Sequence, residues 1–193
     1  MIAALFIAKN GTYWNHPEID AWDEERNAFL YKGPHPVIAH PPCQRWCKLA
    51  KFCQSRWGLR VGDDGGTFQF ALSAVREFTG VLEHPAYSLA FKEYGLGRPI
   101  RGSWQPSPAG GWITEVSQCA YGHRAFKRTW LYTTVPNPIQ MDWSEPEVKY
   151  RVSGSRTKSK RYPNRRKMLS KRESSSTPPL FRDKLMELLR GTL

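Results

Sequence analysis

The chain has 193 residues, 29 Lys or Arg against 17 Asp or Glu, a formal charge of +12 and 40% hydrophobic residues. That length fits one compact domain with an irregular extension, and eight Trp, eight Tyr and nine Phe suffice for a real core. The apolar opening, Met1 to Ala8, lacks a basic leader and a small-residue cleavage site and is too short for a bilayer. An exported or membrane-bound chain is therefore not expected.

The charge is local. Between Lys149 and Arg172 stand eleven Lys or Arg and no acid, while the remaining 18 basic and 17 acidic residues nearly cancel. Such a cluster points to a polyanionic partner, for which the nucleic-acid backbone is the commonest candidate. Cys43, Cys47, Cys53 and Cys119 read as free thiols of a reducing cytoplasm. Their spacing is not that of a zinc knuckle, so no metal is expected.

In chain order, Leu5-Phe6-Ile7 reads as a short buried strand ended by Lys9-Asn10-Gly11. Residues 12–35 are turn-rich apart from a helical stretch, Asp23 to Tyr31. Val37-Ile38-Ala39 is a second strand that runs into His40-Pro41-Pro42-Cys43, where two prolines forbid further pairing. Cys43 is thereby presented at a strand's carboxyl end, where open α/β sheets keep their sites. The basic stretch to Gly62 reads as a mobile loop; Phe68, Ala71, Leu72, Val75 and Phe78 then mark a helix over 67–78. Gly80-Val81-Leu82 is a strand running into Glu83-His84-Pro85, and Thr129 to Tyr132 is an aromatic strand after the polar cluster 123–128. Phe181 to Leu189 closes the chain as an amphipathic helix. The alternation predicts an α/β fold with a largely parallel sheet.

Pro41-Pro42-Cys43-Gln44 after one strand and Leu82-Glu83-His84-Pro85 after the next resemble the nucleophile loop and the glutamate strand end of the DNA cytosine-C5 methyltransferases. Asp64 to Phe68, Tyr121-Gly122 with Lys127 to Tyr132, and Ser176 to Phe181 are similar to further motifs of that family, all in its order. The resemblance implies a reduced Rossmann-like methyltransferase sheet with helices on both faces. It further implies a catalytic part over 1–140, a basic irregular insertion over 141–173 in place of a target-recognition domain, and a C-terminal helix, 174–193, packing back.

It also implies roles. Cys43 would add to C6 of a pyrimidine, Glu83 would protonate N3, and Lys127 would stand where the family has an arginine. S-adenosylmethionine would be held by Phe6, Asp20, Trp22, Pro41 and Pro179, with Asp23 and Glu24 as alternatives to Asp20 for the ribose. DNA, single-stranded or with a flipped base, would meet Gln44, Arg45, Arg56, Arg128, Arg161, Arg165, Arg166 and Lys167, with Trp46 and Trp57 filling the gap. Arg45, Lys48 or Lys127 would lower the thiol's pKa. The chain departs from the family at the cofactor turn, where Lys9 to Thr12 holds one glycine. The distance from there to Pro41 leaves room for one helix and one strand fewer. Two alternatives follow: the same thiol chemistry with another C5 electrophile, or an inactive fold kept as a DNA-binding protein.

Overall fold

A computed structural model describes residues 1–153 and 166–191. Its centre is a seven-stranded mixed sheet. The strands are β1 (Ile2–Leu5), β2 (Ile19–Trp22), β3 (Val37–Ala39), β4 (Gly80–Pro85), β5 (Gln105–Pro106), β6 (Trp112–Ser117) and β7 (Arg128–Thr133), in the order β2-β1-β3-β4-β7-β6-β5. β2, β1, β3 and β4 run parallel, whereas the pairings β4–β7, β7–β6 and β6–β5 are antiparallel. The sheet is thus parallel in only one half, which corrects the expectation of a largely parallel one.

The helices are α1 (Ala50–Trp57), α2 (Thr67–Glu77), α3 (Leu89–Glu93), α4 (Lys171–Ser175) and α5 (Pro179–Arg190). Side chains alternate between the faces of a strand, and the core divides accordingly. Ala3, Leu5, Val37, Ala39 and Leu82 pack with Phe68, Ala71, Leu72 and Val75 of α2. Ile2, Ala4, Ile38 and Val81 pack on the other side with Phe181, Leu185, Met186 and Leu189 of α5. The central strands are therefore apolar on both faces, as parallel strands between helices must be. Gly80 opens β4 because a Cβ there would lie 2.4 Å from the Val37 carbonyl oxygen.

Several local readings change. Phe6 has φ 57°, so β1 stops at Leu5. The crossover from β1 to β2 forms turns and no helix. The stretch 23–31 holds only a 3-10 turn, Ala28–Leu30, with the Asn27 side chain accepting from the Phe29 amide. The 44–62 stretch is not all loop, since α1 lies within it. Beyond β7, two further strands, β8 (Tyr150–Arg151) and β9 (Lys167–Met168), form a parallel pair, and α4 starts with a Ser170–Glu173 capping box. Arg161 and Arg165 lie outside the described residues. No helix among the described residues is long and apolar enough to cross a membrane.

Candidate active site

Three strands bring side chains to one edge of the sheet. β3 and β4 are neighbours with Ala39 opposite Leu82, so His40, just past β3, stands beside Glu83; β4 continues through Pro85, so Glu83 lies within the strand and not beyond its end, a correction to the expected strand 80–82. β7 runs antiparallel to β4 with Thr129 opposite Pro85, which brings Lys127, just before β7, to the same edge. After Pro41 and Pro42 break the pairing, the Cys43 carbonyl accepts the amides of Trp46 (3.0 Å) and Cys47 (2.8 Å), closing a helical turn with Cys43 at its head. Trp46 anchors that turn: it is buried, and its indole donates to Asp64 at 2.8 Å. The Asp64 carboxylate also accepts the amides of Gly66 and Phe68 and the Thr67 hydroxyl, so one carboxylate ties the Cys43 turn to the start of α2. Trp46 is consequently a core residue and is not available to DNA.

The converging side chains form one hydrogen-bonded group. Glu83 is buried, and both of its oxygens are engaged: His40 Nδ1 lies 3.1 Å from Oε2, and Gln118 Nε2 donates to Oε1 at 3.0 Å. Burial pushes the Glu83 carboxyl up, but the His40 hydrogen bond and the Lys127 charge outweigh it and hold the group at about 2. An ionised carboxylate only accepts, so His40 carries its proton on Nδ1 and accepts the Tyr13 hydroxyl at Nε2, 2.9 Å away. Lys127 donates to the carbonyls of Ser175 (3.1 Å) and Ser176 (2.8 Å), which fixes its ammonium between the α4–α5 link and the Glu83–Cys43 pair. Burial pulls its pKa down, against the charges of Glu83 and Cys43.

Cys43 does not rest as a thiolate. Burial, Cys47 and Glu83 together push its pKa up to about 11, and Lys127 only partly opposes them. The expected activation by neighbouring cations is therefore corrected: Lys48 sits 3.5 Å above the Tyr87 ring instead, and Arg45 is not part of the cleft wall. All four cysteines are free, and Cys43 is partly exposed.

A cleft of 2410 Å³ runs over this edge and brings together Phe6, His40, Pro41, Cys43, Gln44, Glu83, Lys127, Arg128 and Arg166. Asp20 and Trp22 do not belong to it: Asp20 pairs with Arg26 and accepts the Trp22 indole, while Trp22 packs on Tyr31. The carboxylates that do face the cleft after β2 are Asp23 and Glu24. Pro179 is also outside the wall, as the first residue of α5, and Thr177 stands in its place. Arg56 projects from α1, and Lys167 is exposed on β9; neither lines the cleft. Arg128 bonds Glu115 and the Tyr87 hydroxyl at the rim. Tyr13 and Gln118 carry no signal in the sequence, and His40 stands out there only as the residue before Pro41-Pro42-Cys43. They reach Glu83 from segments far along the chain, and only the position of His40 directly before Pro-Pro-Cys could have flagged it.

No family model, no curated protein and no solved structure matches the chain. What the fold itself establishes is an α/β protein with a seven-stranded mixed sheet flanked by helices, a layout compatible with the Rossmann-like class.

Proposed function

We propose that this protein is a DNA cytosine-C5 methyltransferase-like enzyme, with Cys43 as the nucleophile toward C6 and Glu83 as the partner of N3. The observation that carries this reading is the meeting in one cleft of Cys43 from the turn after β3, Glu83 from within β4 and Lys127 from just before β7. A buried carboxylate with both oxygens engaged, an ammonium and a partly exposed thiol have little structural reason to share a cavity at a sheet's carboxyl edge.

The resting protonation states define the work to be done. Cytosine C5 becomes nucleophilic only after a thiolate adds to C6 and N3 takes a proton. At neutral pH the Cys43 proton is on sulfur and Glu83 is bare. The addition therefore breaks the S–H bond, forms Sγ–C6 and places one proton on N3. Glu83 is the relay: it takes the proton that sulfur gives up and passes it to N3, while the Nδ1–H stays on His40 and holds Oε2 in place. After C5 has taken the electrophile, its own proton leaves to solvent and that electron pair re-forms the C5–C6 double bond; the electrons of the S–C6 bond leave with sulfur, and the N3 proton returns through Glu83 to the thiolate. Lys127 stabilises both the thiolate and the carboxylate while they are charged.

The adenosyl donor finds a fitting wall. Asp23 is buried and uses one oxygen for the Arg26 amide, and it lines the cleft beside Phe6, Asn27 and Phe29. Asp23 would hold the ribose hydroxyls, with the Phe6–Phe29 edge against the purine. When bound, S-adenosylmethionine supplies the electrophilic methyl group that C5 takes. One feature favours the second reading, a different C5 electrophile: the helix-free β1–β2 crossover provides no helix N-terminus for the donor's carboxylate. A 5-fluorocytosine oligonucleotide incubated with the protein and S-adenosylmethionine separates these readings. The expected result is a covalent adduct mapped by mass spectrometry to Cys43. An adduct that forms only when a small-molecule cell extract replaces the adenosyl donor supports the second reading, and no adduct in either case rejects both.

A further inference from the structure

The rim of the cleft carries a second group of side chains that the chemistry above does not use. Tyr87 has φ 67°, a backbone conformation that bulky residues seldom take, and it lines the cleft. Two cations from different segments meet its ring. The Lys48 ammonium, from the stretch after Cys43, lies 3.5 Å from the ring centroid, and the Arg128 guanidinium, at the start of β7, lies 5.1 Å from it. Arg128 is aimed from behind. The buried Glu115 carboxylate accepts its Nε at 2.8 Å and also its Nη2, while the Tyr87 hydroxyl accepts Nη1 at 2.7 Å. Three of the five guanidinium N–H groups are thereby used and two are left over. Glu115 gives its other oxygen to the Trp130 indole. It balances Arg128 from the buried side, and no carboxylate among the described residues pairs with Lys48. The Lys48 charge is therefore unmatched at the rim.

We infer that Lys48 and Arg128, held against Tyr87, seat the phosphate group of the nucleotide whose pyrimidine enters between Cys43 and Glu83. An ammonium beside the open edge of a guanidinium matches an anion with several acceptor oxygens, and a phosphate is the anion that a nucleotide brings. The tyrosine face holds the ammonium without neutralising it. Glu115 fixes the guanidinium in advance, so little side-chain freedom is lost when the anion arrives. The seat is continuous with the site: Lys48 stands five residues past Cys43 and Tyr87 four past Glu83, and all of them line one cleft. Both the diester of a strand and the monoester of a free nucleotide carry this chemistry. The inference rests on the pyrimidine reading of the cleft and adds where the charge of the substrate is held.

Titration calorimetry of the full chain with deoxycytidine, with its 5′-monophosphate and with the trinucleotide dT-dC-dT tests it. The wild type should bind the monophosphate about 10-fold more tightly than the nucleoside, or better. Lys48→Gln should cut that margin to about twofold or less, and Lys48→Arg should restore it. Lys48 is exposed, and an unchanged melting curve verifies the fold. Arg128→Gln uncovers the buried Glu115, so Lys48 is the deciding position. Trinucleotides with an uncharged methylphosphonate on one side of the cytosine separate the two sources. A loss of about 10-fold that is absent in Lys48→Gln puts a strand diester on the seat, whereas a margin with the monophosphate alone puts a free nucleotide there. No binding of any of the three ligands, no phosphate margin with either source, or a margin that Lys48→Gln leaves intact would each overturn the seat. Cys43→Ser keeps the two ideas apart: if the chemistry is wrong but the seat right, the phosphate margin persists in a protein that forms no adduct.

Discussion

At the scale of single residues, the decisive feature is that the proposed nucleophile and the proposed acid are each stored in the unreactive state. Cys43 is held as a thiol by burial and by the carboxylate beside it, and Glu83 is held as a carboxylate by His40 and Lys127. The raised Cys43 pKa means that its contribution to stability is present below the ordinary thiol value of 9.0 and is lost as pH rises toward about 11. The same shift governs reactivity, because only the thiolate alkylates. In a background with the other cysteines replaced by serine, iodoacetamide labelling of Cys43 should be slow at pH 7–8 and climb through pH 9 to 11. Glu83→Gln removes a negative neighbour and should move that rise to lower pH; Lys127→Met should move it higher. Labelling that follows an ordinary thiol curve in all three proteins would mean that the group does not interact as described.

At the scale of elements, Asp64 ties the Cys43 turn to α2. It accepts four hydrogen bonds, from Trp46, Gly66, Thr67 and Phe68, and burial of the carboxyl is outweighed by those bonds, so its pKa is lowered. Asp64→Ala removes a helix-start acceptor and leaves the Trp46 N–H without a partner. The expected loss is about 2–4 kcal/mol, read from urea unfolding as a lower midpoint at unchanged slope. A change under about 0.5 kcal/mol would show that the turn is held by packing alone. Much of this level was legible in the sequence. β3 ends where Pro41-Pro42 says it must, and α2 covers the apolar spacing from Phe68 to Val75. β6 was not legible, because Thr114, Glu115 and Ser117 look like surface residues. Glu115 is buried only because Arg128 and the Trp130 indole, brought by β7, satisfy it. α1 gave no helical pattern, since Ala50 is its single buried residue. The Tyr13–His40–Glu83–Gln118 group left no local trace either, as its members are joined only by sheet order.

At the scale of the whole molecule, the fold divides its labour. The parallel half of the sheet delivers Cys43 and Glu83, the antiparallel half returns Lys127 and Gln118 to them, and the link from α4 to α5 clamps the lysine. The same side of the molecule bears the basic residues: Arg128, Arg151, Arg166, Lys171 and Arg172 all line the cleft. The logarithm of nucleic-acid affinity should fall linearly with the logarithm of salt concentration. Replacing Lys171 and Arg172 with glutamine should reduce the slope by about 0.7–0.9 for each phosphate that is no longer neutralised. An unchanged slope would place the phosphates against other residues.

The claim that thiol and carboxylate act on one pyrimidine is tested most directly on DNA that has met the protein in a cell. Nucleosides from DNA co-expressed with the wild-type chain, or with Cys43→Ser, are compared by mass spectrometry. The expected result is a cytosine carrying a new C5 substituent in the wild-type sample and none with the variant. Unmodified DNA in both samples, or the same modification in both, would contradict the proposed chemistry.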